Sequence, residues 1–380
     1  MTRTAALRVA IFIAVLGVPD GAVGVMWPAL RSAFHRPLGD LGVLVVLMTV
    51  LYVAGGIVFS RLSHLFAVST VIRMSCVLSL VSTVAWLAAP TWPAVLAAVA
   101  AFGLARGVID SAVNAASAGR IRELGWLHAG WAVGGTLGPL LVAATVTGSQ
   151  WRGAVAVITV LSAAVTIGAF LVSEPGVVAA EQRNRERSAS APIAVTLLVA
   201  GVFALYTAAE AGPVVWGYTY LVDERHLDAT AAAFGIASLW LALVAGRVAL
   251  GAAGHRVDEM KLLTWCCAVL IAALMVLWLA PTAVAVIALP LIGLASAPVF
   301  PLLINRTPAM VGPAATARVV GIAVAAAAVG GPVAVFVEGR IADAVGVWAI
   351  APCLVIAAVV FAVFCVPLGS PMSRAGSSCT

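Results

Sequence analysis

Charge is what this chain has least of. Only 9% of its 380 residues are charged, against about a quarter in a soluble domain. That deficit excludes a water-soluble enzyme or binding module. Six cysteines (Cys76, Cys266, Cys267, Cys353, Cys365, Cys379) show neither metal-ligand spacing nor a disulfide framework. HExxH, a Walker loop, GxSxG and Cys/His clusters are all missing. No catalytic residue, metal or cofactor is therefore expected. No cleavable signal peptide is expected either: the first apolar run, Ala5 to Leu30, outlasts a signal h-region and reads as a membrane helix. An integral-membrane enzyme would need acids or histidines at a membrane face. The only such cluster, Asp223, Glu224 and Asp228, sits on a short loop.

What fills the chain is apolar surface. Hydrophobic residues make up 63%, and the mean hydropathy is +1.13. The expectation is an all-α membrane protein with twelve transmembrane helices, near 7–30, 41–60, 70–89, 94–117, 126–148, 152–172, 193–220, 230–250, 262–280, 283–304, 316–337 and 346–367. The net charge of +6 would suggest nucleic acid in a soluble chain, but here the arginines lie in short gaps between spans. Fifteen basic residues fall on the side holding the termini and five (Arg31, Arg36, Arg152, Arg225, Arg340) on the other, with Arg106 inside the membrane. Both termini are therefore expected in the cytoplasm of a multi-pass cell-membrane protein. The polar stretch 174–192 reads as a cytoplasmic linker between two six-helix bundles, 1–173 and 193–380.

Charge inside a span is expensive, at least about 2.5–3.5 kcal/mol per residue, so it normally faces a cavity and pairs. In span four Arg106, Asp110 and Asn114 recur every fourth residue and share one helix face. Beside them Gly103, Gly107, Ser111 and Ala115 form a stripe of small residues that admits another backbone. Arg106 and Asp110 stand one turn apart and can pair with each other. Asp20 with Trp27 in span one, and Tyr206 and Glu210 with Trp216 in span seven, put further polar groups at similar depth. In span five Gly130, Gly134 and Gly138, followed by Pro139, read as a close-packing seam between the halves.

The halves repeat one another. Gly56-x-x-x-Ser60-Arg61 recurs as Gly251-x-x-x-His255-Arg256, an offset of 195. Ala132-Val-Gly134-Gly recurs as Ala328-Val-Gly330-Gly at 196, and Gly103-Leu-Ala as Gly293-Leu-Ala at 190. Each links helix n to helix n+6, the plan of a large class of transporters.

These residues carry a resemblance. Gly107-Val-Ile-Asp110-Ser-Ala-Val-Asn114, Trp126-Leu-His128 with Gly134-Gly-Thr-Leu-Gly138-Pro139, Tyr206-x-x-x-Glu210 with Trp216, Gly246-Arg247-x-x-x-Gly251 and Ala297-Pro-Val-Phe-Pro301 make the chain similar to the major facilitator superfamily over nearly its whole length. It looks most like the sugar-permease branch that includes fucose permease. The resemblance implies that helices one, four, seven and ten line a central cavity, and that Asp110 with Asn114 takes part in proton coupling. It departs from the family pattern at Ser60 and His255, where an acid normally precedes Arg61 and Arg256.

The expected function is secondary active transport of a small polar solute, such as a sugar, by alternating access. A proton gradient supplies the energy through Asp110, Glu210 and Asp20. Trp27, Tyr206, Trp216 and Asn305 offer ring faces and hydrogen bonds to that solute. Two alternatives stay open: a proton-driven exporter of small amphipathic compounds, and an integral-membrane enzyme. A structural role also stays open for each site residue, such as a static Arg106–Asp110 ion pair. The expected partners are the solute and the lipid bilayer, with no nucleic acid, and the chain is expected to act as a monomer.

Overall fold

A computed structural model describes residues 3–117, 121–146, 150–171, 191–253 and 258–365. The regular structure of the described residues is all helix, which satisfies backbone groups within each segment where lipid offers no water to do so. The first set of helices is α1 (Arg3–Ala33), α2 (Asp40–Leu62), α3 (Val68–Ala88), α4 (Trp92–Ser117), α5 (Ile121–Thr145) and α6 (Arg152–Leu171). The second is α7 (Ile193–Thr219, ending in a wide turn over Tyr220–Glu224), α8 (Ala229–Ala253), α9 (Glu259–Leu279), α10 (Thr282–Ser296), α11 (Val299–Val311), α12 (Pro313–Val345) and α13 (Ile350–Cys365). Among the described residues eleven spans are long and apolar enough to cross a membrane, α10 and α11 together making one of them. Gly130–Thr145 of α5 adds a shorter apolar segment. The chain is an all-α membrane protein of major facilitator type.

Two expected boundaries move. The tenth span is broken, because Pro298 and Pro301 lack the N–H groups a continuous helix needs there. The eleventh helix continues past its expected end at 337 to Val345, so Glu338 and Arg340 belong to it. Apolar patterning stops at those residues. The helix does not, because Arg340 finds a partner on α2 and Glu338 is buried. The stretch 172–190, which holds most of the expected linker, lies outside the described residues.

The repeat is visible in the packing. A methyl group on Gly103 of α4 would overlap the Met48 carbonyl of α2, and one on Gly293 of α10 would overlap the Leu239 carbonyl of α8. Likewise Gly134 of α5 abuts the Ala14 carbonyl of α1, and Gly330 of α12 abuts that of Ala204 on α7. Equivalent glycines thus bring equivalent helix backbones together, so sequence offsets of 190 and 196 become the same seams in both halves. The expectation for α5 needs correcting on this point. Gly134, Gly138 and Pro139 pack on Ala14, Val18 and Gly21 of α1, within the first half. Gly135, between them, faces the second half instead, against the Trp240 ring of α8. Gly130 is buried on the same helix.

The halves are fastened at the face away from the termini. Arg340 of α12 meets Asp40 of α2 at 2.8 Å, and Arg36 holds the other Asp40 oxygen at 2.6 Å. The Gly39 N–H donates to both Asp343 oxygens at 3.1 Å. Arg31 at the end of α1 meets Asp223 at the end of α7 at 2.7 Å. Backbone follows charge here, since a methyl on Gly339 would stand 2.8 Å from the Gly39 Cα.

Two substitutions separate close packing from helix propensity. Gly107→Ala should lower the melting temperature in detergent, because its methyl would overlap the Tyr52 carbonyl, and overpacking costs about 1–3 kcal/mol. Gly251→Ala, whose methyl meets nothing within 4 Å, should leave it unchanged or raise it, by up to about 1 kcal/mol. Equal effects would contradict the backbone seam.

Candidate functional site

The charged residues at mid-depth do not pair as expected. Arg106 of α4 does not hold Asp110. It reaches across to Asp20 of α1 in a two-pronged ion pair, Nη1 to Oδ1 at 2.6 Å and Nη2 to Oδ2 at 2.8 Å. Planar guanidinium and planar carboxylate match in this geometry, which a pair one turn apart on a single helix does not offer. The indole N–H of Trp131 on α5 donates to the same Asp20 Oδ2 at 2.7 Å. The side chains of Arg106 and Asp20 are 10% and 19% exposed, so the pair is largely withdrawn from solvent.

Asp110 is released by this exchange and takes uncharged partners. Tyr52 of α2 donates its hydroxyl to Oδ2 at 2.6 Å, and the Asn114 amide donates to the same oxygen at 2.9 Å. Both known donors converge on Oδ2. A proton on Oδ1 would leave both bonds in place. Tyr52 therefore joins the site, although nothing about an isolated tyrosine in an apolar span marked it in the sequence.

In the second half Glu210 of α7 faces Arg247 of α8 at 4.0 Å, with side chains 22% and 25% exposed. Arg247 is thus a residue inside α8 that faces the α7 acid rather than one of the loop charges. Trp240 lies two turns before it on α8 and meets Trp131 edge-on, ring centres 5.2 Å apart. Asp20, Trp131 and Trp240 therefore form a continuous contact from the ion pair of one half to the helix that carries the cation of the other.

Of the four expected solute-facing groups only Tyr206 lies beside these residues, next to Glu210. Trp27 is fully buried against Trp92, centroids 5.9 Å apart. Trp216 is fully buried and donates its indole N–H to the Val335 carbonyl at 3.2 Å. Tyr206 is fully buried and donates to the Ser296 carbonyl at 2.9 Å, next to the α10–α11 break, with Phe300 and Phe361 against its ring. Large aromatics at these depths serve packing, and hydroxyl and indole groups satisfy helix carbonyls. Asn305 on α11 is exposed. Arg61 is exposed at the end of α2. His255 and Arg256 lie outside the described residues, as do the side chains of Trp126 and His128.

This is the architecture of a polytopic helical carrier: paired six-helix repeats, a sealed face, and charged residues at mid-depth contributed by both halves. The comparisons define it further. The family model of the Major Facilitator Superfamily matches residues 9–335, and the chain belongs to that family. No curated protein matches the chain in sequence. Among solved structures, the nucleoside transporter NupG (D323A mutant) superposes with a TM-score of 0.80 at 12% identity, over 96% of this chain and 100% of that one. A bacterial homologue of the human lysosomal transporter Spinster, in an inward-facing and occupied conformation, gives 0.73 at 15% identity, over 96% and 95%. The fucose transporter FucP in its outward conformation gives 0.63 at 13% identity, over 96% and 99%. At such identities the likeness is one of fold. As a member of this family the chain is a membrane transporter, not an enzyme.

Because Asp20 and Arg106 are largely buried, removing one partner is worse than removing both. Arg106→Ala should cost about 3–5 kcal/mol, read as a loss of folded protein on heating in detergent. Adding Asp20→Asn to it should recover part of that loss. A double variant no more stable than the single one would contradict the pairing.

Proposed function

We propose that the chain moves a small polar solute by alternating access, and that Asp110 carries the coupled proton. The observation behind this reading is the division of labour among the mid-depth acids. Asp20 is neutralised by a guanidinium in a two-pronged bond, and a guanidinium does not give up its proton. Glu210 faces Arg247. Among the described residues Asp110 has only neutral donors, both on one oxygen, which leaves the other oxygen as the position for a proton. The Arg106–Asp110 pairing expected from sequence is replaced by a simpler arrangement. Arg106 and Asp20 hold α4 against α1, and Asp110 titrates beside them.

Solute hydroxyls entering between the halves would meet Asp110, Asn114, Glu210 and Arg247. All four can form hydrogen bonds, and α4 contributes two of them while α7 and α8 contribute the others. A solute that bonds to the protonated form of Asp110 binds better when the proton is present, and the proton then binds better with the solute present. Movement of the halves about this site, with the face away from the termini sealed in the state seen here, completes the cycle. The cytoplasmic placement of the termini, on the positive-inside rule, makes that state inward-facing.

In proteoliposomes with an imposed pH gradient, the parent should accumulate its solute. Asp110→Asn should retain solute exchange while losing gradient-driven accumulation, by tenfold or more. Accumulation by Asp110→Asn with protons as the sole driving force would sink the proposal. Tyr52→Phe removes one donor and leaves the acid, so it should shift the pH dependence of uptake without abolishing it.

A further inference from the structure

One acid belongs to neither mid-depth pair. Glu338 of α12 is 4% exposed, and its Oε2 has no hydrogen-bond partner. A methyl on Gly212 of α7 would lie 2.9 and 3.0 Å from its two carboxyl oxygens. Both oxygens are therefore pressed toward the α7 backbone, with the Leu354 side chain of α13 filling the same space. From α13 the titratable neighbour is the neutral thiol of Cys353. On α7 the nearby ionisable residues are committed elsewhere, Glu210 to Arg247 and Tyr206 to the Ser296 carbonyl. On α12 itself Arg340 and Asp343 are held by Asp40 and Gly39 of α2. No cation of the described residues pairs with Glu338.

A carboxylate so buried, with no cation among the described residues and no donor to Oε2, is costly in such a place, which favours the neutral acid. Its position in the chain gives that proton a consequence. The next residue, Gly339, lies in the seam between the halves, against Gly39 and the Trp216 ring, and Phe336 just before it abuts Gly42 of α2. Arg340 and Asp343, within the following turn and a half, make the polar contacts of the same seam. Hydrating an ionised Glu338 requires α12 to draw away from α7 and α13, and α12 cannot shift there without disturbing its seat on α2.

We infer that Glu338 is a second proton-binding site, separate from Asp110, occupied when α2 and α12 are sealed together and emptied when they part. Of the proposed function it assumes only that the two helices part. The sealed state then holds one more proton than the parted state. Acid favours sealing and alkali favours parting, by at most about tenfold in their ratio per pH unit.

The test uses the full chain in lipid nanodiscs, with its six native cysteines replaced and spin labels at Ala33→Cys and Ala344→Cys, exposed positions on either side of the seam. The parent distance distribution should lengthen as pH rises, and Glu338→Gln should stay short at every pH. A Glu338→Gln protein that follows the parent, or a parent that does not respond to pH, overturns the inference. Infrared spectroscopy on the unlabelled protein reads the proton without reference to transport. The carbonyl band of a protonated carboxylic acid should weaken in Glu338→Gln, and an unchanged band overturns the assignment. Should that variant not fold, Glu338→Leu removes the same proton while filling the space, and both readouts apply to it. Loss of solute accumulation in Asp110→Asn with an unaltered pH response of the seam would separate the two proton sites.

Discussion

The rest of the molecule is arranged around the bond between Asp20 and Arg106. Each ion alone at this depth would cost several kcal/mol, and each is tolerable only because the other is placed to match it at two atoms. That requirement fixes α1 against α4. Trp131 adds α5 to the pair, and through Trp240 the contact passes to α8 in the other half. It also leaves Asp110 to the neutral donors Tyr52 and Asn114, one helical turn along α4 from Arg106.

The halves repeat in backbone and diverge in charge. The glycine seams of α2 with α4 and α1 with α5 recur as α8 with α10 and α7 with α12. Asp20 has its counterpart in Glu210 at an offset of 190. At that offset Arg106 corresponds to Ser296, while the second half's cation, Arg247, corresponds to Tyr52 at 195. The acid keeps its helix and its cation changes helix. The resulting contacts differ in tightness, 2.6 Å and two-pronged in the first half against 4.0 Å in the second. A firm anchor in one half and a looser pair in the other suit a site that must hold one bundle while releasing a solute from the other.

Much of the fold was legible because lipid permits few solutions. Apolar runs of about 20 residues mark the helices, and repeated Gly positions at offsets of 190 to 196 mark the doubled plan. The polar stripe on α4 marked the helix face on which the charged network lies. Its partners were not legible, because spacing along one helix favours Arg106 with Asp110, whereas the bond that forms spans 86 residues and depends on how α1 leans on α4. Trp131 and Tyr52 have the same difficulty, being ordinary aromatics in apolar helices until Asp20 and Asp110 are placed beside them. Trp27, Tyr206 and Trp216 erred the other way: chemistry suited to a solute is equally suited to filling a bundle and satisfying its free carbonyls. Glu338 escaped because hydropathy ended α12 too early.

Alternating access about a central site requires that both halves contribute to one solute site. Calorimetric titration of a transported solute into the purified parent and into Glu210→Gln, with thermal stability measured on the same samples, asks this directly. A folded Glu210→Gln protein should bind at least tenfold more weakly, although the anchored pair of the other half is intact. Unchanged affinity in that folded variant would place the solute in the first half alone and contradict the shared site.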